Sequence, residues 1–327
     1  MDTIIGFLFY SIRAGTPLLF GTTGEILSEK SGCLNLGVEG MMAMGAIGGY
    51  LAGCAADSLL VGLLAAFFSA ALGALIYAFI TVTLQANQNV TGLALTTFGL
   101  GLTVFIGNTL KKGKTFPALA DSPSLQSWSL DKGIPGLRDI PWVGKLLFSH
   151  NIFVYIAAAV AVLGWLYLRR SHAGLRTAAV GENPAAADAC GVSVARKRYI
   201  NIILGGGITG FGGFYLGLVI NAGEWNEFWT NGIGWISVAL VIFARWNPGR
   251  AVFGAFFFGL LMTLQAWKGN LAREFPVILG WLSAVPNEFY QMLPFLITAA
   301  VLLAASIRSK RGAQPAALGV NYYREER

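Results

Sequence analysis

Charge is what this chain has least of. Lys, Arg, Asp and Glu make up 12% of its 327 residues, against about 25% in an ordinary soluble domain. That scarcity excludes a soluble surface over most of its length. Histidine is scarcer still. The two present, His150 and His172, fall at the ends of apolar segments on opposite sides of the expected membrane, so they form no catalytic or metal-binding pair. Three cysteines, Cys33, Cys54 and Cys190, are far apart and make no CxxC. They read as small packing residues, with no disulfide or metal site implied. No GxSxG, HExxH or P-loop occurs, so no ATP site of the chain's own is visible. The N-terminus carries Asp2 and no basic stretch, so a cleaved signal peptide is not expected.

What the chain does have is apolar length. Hydrophobic residues make up 55%, and the mean hydropathy is +0.62. Continuous apolar runs recur at 4–23, 35–54, 58–84, 91–110, 150–168, 200–220, 231–245, 251–267 and 289–307. About 20 residues at 1.5 Å each cover the roughly 30 Å hydrocarbon layer. The expected fold is therefore all-α: a polytopic membrane protein of about nine spans, not a barrel of short alternating strands. The run 231–245 is short. The stretch 274–286, bounded by Pro276 and Pro286, reads as a half-helix or surface segment.

The net charge of +7 would point to nucleic acid in a soluble protein. Here the basic residues gather in loops beside spans, which is a topogenic pattern. The loops after odd-numbered spans and the C-terminus carry the greater share, including Lys30, Arg169, Arg170, Arg176, Arg196, Lys197, Arg198, Arg245, Arg250, Arg308, Lys310, Arg311, Arg324 and Arg327. That side is expected to be cytoplasmic, with the N-terminus outside and the C-terminus inside. The outer loop 111–149, rich in Pro, Ser and Trp, either receives an external partner or caps the rim of the bundle.

Four stretches carry polar chemistry. "SGCLNLGVEG" (31–40) places Asn35 and Glu39 among Gly32, Gly37 and Gly40. Buried polar groups in a span are costly and persist beside a partner or a pathway, and the glycines permit a broken helix. The stretch is expected to be a non-helical insertion breaking the second helix beside a solute path, with Asn35 offering both donor and acceptor. Glu39 could equally cap a neighbouring helix or pair with Arg13. Glu25, Glu29 and Lys30 are expected at the cytoplasmic interface. "NQNVT" (87–91) is either a solvated turn or a gate, and its Asn89 and Thr91 join the pathway set. "GGGITGFGG" (205–213) contains GxGxxG, but no strand precedes it, so close helix packing is the better reading. "ENPAAADACG" (182–191) has helix grammar: Asn183 as cap, Pro184 at the first position, alanines with Asp188, and Gly191 to end it. Such a short helix is unstable alone and makes sense if something packs on it.

"GENPAAADACGVSV" (181–194) followed by a basic cluster and a Gly-rich span resembles the coupling segment of ATP-binding-cassette importer permeases. The branch is the one serving ribose, branched-chain amino acids and nucleosides. "GEILSEKSGCLNLGVEGMMAMGA" (24–46) and "NQNVTGLALTTFGLGL" (87–102) look most like its nucleoside-type members, those linked to basic membrane lipoproteins. The resemblance implies a permease domain over 1–310, a cytoplasmic tail over 311–327, and a non-catalytic subunit in a bacterial inner membrane. It implies a second permease, a cytoplasmic ATPase that holds ATP and Mg, and an external binding protein that delivers the solute. Glu182, Asn183, Ala186, Ala187, Asp188 and Gly191 would meet the ATPase. The alternative is an ion-coupled secondary transporter. It would need membrane-embedded carboxylate pairs and would leave 182–191 without a purpose.

Overall fold

The computed structural model describes residues 2–307 and 314–323, and among these the regular structure is helical with no strand. A backbone away from water must satisfy its own N–H and C=O groups, and a helix does so within one segment. Each of the nine apolar runs is accordingly covered over most of its length by a helix. In chain order these and the shorter helices are α1 (Asp2–Lys30), α2 (Val38–Ala56), α3 (Leu59–Ala78), α4 (Gln88–Lys112), α5 (Pro123–Ser129), α6 (Ile152–Arg170), α7 (His172–Glu182), α8 (Pro184–Ala189), α9 (Val194–Tyr215), α10 (Ile233–Phe243), α11 (Pro248–Glu274), α12 (Pro276–Leu279) and α13 (Asn287–Ile307). Helices α3 and α9 each run on through one π-turn, Phe79–Thr83 and Leu216–Ile220.

Among the described residues, six helices are long and apolar enough to cross a membrane by themselves: α1, α3, α4, α6, α9 and α11, with the π-turns included. Helix α10 is apolar but has only 11 residues, about 16 Å of rise. The stretch 274–286 forms no half-helix of useful length. It is the four-residue α12 followed by a 3-10 turn at Gly280–Ala284, because Pro276 and Pro286 each stop helix propagation. Of the basic residues used for orientation, Arg308, Lys310, Arg311, Arg324 and Arg327 lie outside the described residues, as does the whole of 308–313.

The bundle is organised around α9, which packs on α1, α2 and α3. Its glycines permit this. A side chain at Gly213 would collide with the carbonyl of Met42 on α2, and one at Gly210 with the carbonyl of Ala66 on α3. Gly45 of α2 sits directly on Gly210. Backbone thus meets backbone where three helices cross, the arrangement small residues make possible in lipid. The GxGxxG glycines are used up in this packing: Gly205 lies on Gly24 and Gly207 on the ring of Phe67.

At one end of the bundle, α5 and its flanks form a rim. Tyr50 donates to Pro117 O at 3.0 Å. The carboxylate of Asp57 accepts the N–H groups of Ser124 and Leu125 at 3.2 and 2.9 Å, and Leu125 is completely buried. The first half of 111–149 is therefore fastened down, while Leu130, Leu137, Ile140 and Trp142 farther along stay exposed. The opposite end gathers the α1–α2 connection, the α3–α4 turn, α7, α8 and the tail.

Gly213→Leu should show whether this crossing carries the fold. Overpacking of this kind costs roughly 1–3 kcal/mol or more. We expect a lowered thermal midpoint in detergent and loss of monodisperse protein by size exclusion. Gly101, whose surroundings are open within 4 Å, is the control: Gly101→Ala should leave both measurements unchanged.

Candidate functional site

The break between α1 and α2 is shorter than the sequence suggests. Residues 31–37 are irregular, and α2 begins at Val38, so Glu39 lies on its first turn. Gly32 takes a φ of +88°, which turns the chain out of α1. Backbone groups of this stretch that lack helical partners are paired by side chains. Leu34 N–H donates to Gln88 Oε1 at 2.8 Å, and Leu34 O accepts the Tyr77 hydroxyl at 2.6 Å. Asn35 N–H donates to the Glu25 carboxylate at 3.0 Å. Thr96 of α4 donates to Leu36 O at 2.9 Å, and Gly37 N–H donates to Asn35 Oδ1 at 2.8 Å. Each such buried group left unpaired would cost about 1–3 kcal/mol.

Asn35 is buried, with its oxygen used in the local turn and its N–H2 against the Met41 sulfur at 3.5 Å. Thr91 is buried and donates to Asn87 O at 2.8 Å. Asn87 caps α4 by accepting Val90 N–H, and Asn89 is exposed beside it. The break and the start of α4 are in contact: Gly92 leaves room for nothing beyond Leu36. Asn35, Asn89 and Thr91 thus belong to one neighbourhood.

Glu39 faces a different element. Its Oε1 accepts the Thr230 hydroxyl at 2.5 Å and Gly232 N–H at 2.9 Å, and its Oε2 accepts Gly234 N–H at 2.6 Å. A carboxylate held by N–H groups at a helix N-terminus is favoured by both the hydrogen bonds and the macrodipole. It caps α10. Arg13 is not its partner: the guanidinium pairs with Asp131 at 3.0 Å and reaches Val219 O at 3.4 Å. Glu25 and Glu29, expected at an interface, are both buried. Glu25 serves the break, and Glu29 accepts the indole N–H of Trp246 from the α10–α11 turn.

The segment 182–191 is one half of a helix pair. Helix α7 precedes it, capped by Ser171 at Gly174 N–H, 2.9 Å. It is tied to α9 through the Asn201 amide, which donates to the Thr177 hydroxyl at 3.0 Å. Asn183 then caps α8 by accepting Ala186 N–H at 3.0 Å, with Pro184 at the first position. Glu182, Asn183, Ala185, Ala186, Ala189 and Gly191 are exposed, and Asp188 is half-buried. Ala187 points inward, packed with Val180 and Val194. Sequence reading missed Gln88 and Tyr77 as supports of the break, and missed the tail, which packs against this end with Ala317 buried. Their only signal was a polar group beside an apolar run.

Removing the cap on α10 gives a direct measurement. Glu39→Ala leaves one hydroxyl and two N–H groups without an acceptor, so we expect a loss of about 3 kcal/mol or more, read as a lower unfolding midpoint. Glu39→Gln keeps an oxygen for Thr230 and Gly232 but turns an N–H2 toward Gly234, and should fall between. An alanine variant as stable as the parent would remove this role.

Comparison with known proteins places the arrangement. Residues 7–306 match the family model described as branched-chain amino acid transport system / permease component. The chain is 36% identical to the putative glucose ABC transporter permease protein TsgC13 of Haloferax volcanii, over 99% of each chain. It is 34% identical to the guanosine ABC transporter permease protein NupQ of Bacillus subtilis, over 95% of this chain and 94% of that one. It is 30% identical to the nucleoside ABC transporter permease protein NupC of Lactococcus lactis, over 99% and 97%. No solved structure matches the chain. Helices long enough to span, glycine crossings and a match over nearly the whole length lead to one conclusion: the chain belongs to the family of branched-chain amino acid transport system permease components, translocation subunits of ATP-binding-cassette importers.

Proposed function

We propose that the chain imports nucleosides, working with a second permease, a cytoplasmic ATPase that holds ATP and Mg, and an external binding protein. Two of the relatives named above are nucleoside or guanosine permeases by name, which supports the solute class. The third is named for glucose, so a sugar is the second reading. Ribose and glucose share the hydroxyl chemistry that a polar path would meet.

The observation that carries the reading is α8. Its alanine face, Ala185, Ala186 and Ala189, is exposed, while Ala187 locks it to α7 and α9. Small side chains on a firmly seated short helix suit insertion into a groove of the ATPase. Glu182, Asn183, Asp188 and Gly191 frame the same surface. In this reading the basic residues of the loops favour the cytoplasmic side for this end, with the N-terminus outside, in a bacterial inner membrane. The bundle comprises nine spans in this reading, the short α10 completed by the folded 221–232 stretch. The solute path runs beside the break along α4. Asn89 and Thr91 lie at its inner mouth, and Asn35 and Glu39 hold the wall behind them. The outer loop, through its exposed half, is where the binding protein docks.

The test is reconstitution into vesicles with the ATPase and binding protein. Uptake should require ATP, and guanosine should compete at lower concentration than glucose. Uptake driven by an ion gradient alone would defeat the reading in favour of a secondary transporter. Ala186→Glu places a charge on the exposed face and should lower ATP-driven uptake more than tenfold with assembly intact. Asn89→Leu, also exposed, should reduce uptake severalfold at unchanged stability. Wild-type uptake in Asn89→Leu would take that residue out of the path.

A further inference from the structure

Residues 315–322 lie across the α8 end and are hydrogen-bonded on both sides. Toward α7 and α8, Ala317 N–H donates to Gly181 O at 2.9 Å. Ala316 N–H reaches the Glu182 carboxylate at 3.3 Å, and the Tyr322 hydroxyl donates to Asp188 Oδ2 at 2.9 Å. Toward the break, Gly319 N–H donates to Gly32 O at 3.1 Å, and the buried Arg198 guanidinium donates to Val320 O at 3.0 Å. Toward the α3–α4 turn, Gln85 donates to Tyr322 O at 3.1 Å, and the Asn321 amide donates to Gln85 O.

One side chain closes the circuit. Gln88 donates through Nε2 to Asn321 Oδ1 at 3.2 Å and accepts Leu34 N–H through Oε1 at 2.8 Å. A primary amide that uses both ends in this way cannot rotate without breaking one bond. A continuous chain of contacts therefore runs Asp188, Tyr322, Asn321, Gln88, Leu34, from α8 to the break. Packing holds α8 on α7 and α9; the tail is what joins it by hydrogen bonds to the irregular backbone at 31–37.

We propose that residues 315–322 are a mechanical link of the importer, transmitting the displacement of α8 to the α1–α2 break. Tyr322, Asn321 and Gln88 are its positioning residues. The proposal rests on the reading of α8 as the ATPase-facing helix. Physically, a link of this kind needs groups bonded at both of its ends and an element with two arrangements that both ends bias. The break is proposed as that element: it is irregular backbone, held by side chains from three helices, Glu25 of α1, Tyr77 of α3, and Gln88 and Thr96 of α4, and by the Gly319 N–H of the tail. The Tyr322 hydroxyl lies at one end of the route and the Gln88 amide at the other, so each can be removed without touching the exposed face of α8.

The experiment uses the whole importer in vesicles and reads solute imported per ATP hydrolysed. Tyr322→Phe and Gln88→Ala should each lower that ratio at least fivefold while the ATPase still binds. The double variant should fall no further than the lower single, because both lie on one route. Val320→Ala, which alters only an exposed side chain and leaves the carbonyl, should keep the parent ratio. Asn321→Ala gives the same reading should Gln88→Ala fail to assemble. Parent ratios in Tyr322→Phe and Gln88→Ala would overturn the link, and so would losses that multiply in the double variant. Ala186→Glu separates the two ideas. If it abolishes ATPase binding while Tyr322→Phe couples normally, only the link falls. If it binds and couples as the parent does, the reading of α8 falls and the link with it.

Discussion

Seven residues of irregular backbone, 31–37, lie largely buried at one end of the helix bundle, and three helices and the tail supply their hydrogen bonds. Away from water, an irregular segment survives only where protein supplies the missing donors and acceptors. Here they come from α1 (Glu25), α3 (Tyr77), α4 (Gln88 and Thr96) and the tail (Gly319 N–H). This constraint explains why Glu25, Tyr77, Gln88 and Thr96 lie on helices that otherwise face lipid or one another. Glu25 is buried because Asn35 N–H needs an acceptor. Gln88 is buried at the first position of α4 because Leu34 does too. The break is thus a junction where four elements must be in register at once, and a shift in any of them changes the hydrogen bonds of the rest.

The glycine crossings do complementary work. They bring α9 so close to α1, α2 and α3 that backbone touches backbone at Gly24, Gly45 and Met42. Such contacts leave no room for closer approach, so these helices form a tightly packed unit. The close-packed crossing of α1, α2, α3 and α9 thus lies beside an irregular junction at 31–37.

Much of this was legible in the sequence, and the limits have physical causes. Apolar length gave the helices, and Asn183–Pro184 gave the start of α8, because capping grammar is local. The glycine spacing at 205–213 gave close packing for the same reason. The insertion at 31–40 was legible as a break but drawn three residues too long, since Val38 and Glu39 carry no signal that α2 has already begun. Helix α7, "HAGLRTAAVGE", reads as a basic loop because its buried face is made of Gly174, Thr177, Val180 and Gly181, too small to give an apolar stripe. Glu25 and Glu29 read as interface charges because burial of a carboxylate depends on a partner remote in sequence. The tail carries no periodicity at all. Its place is fixed by hydrogen bonds to Gly32, Gln85, Gln88, Asp188 and Arg198, and no local pattern announces such bonds.

Glu39 shows how one residue can answer two demands. Helix α10 is about 16 Å long, so its N-terminus cannot reach the far surface of a roughly 30 Å layer, and it starts within the bundle. A helix that begins at depth leaves N–H groups without partners, and water is not there to take them. Thr230, Gly232 and Gly234 find their acceptor in a carboxylate on the first turn of α2. The same turn follows the break directly. The carboxylate therefore ties the start of α10 to the first turn of α2, directly after the irregular segment. A Gln or Asp at position 39 would lose either an acceptor or the reach. A carboxylate at this position meets the demand that a helix as short as α10 creates.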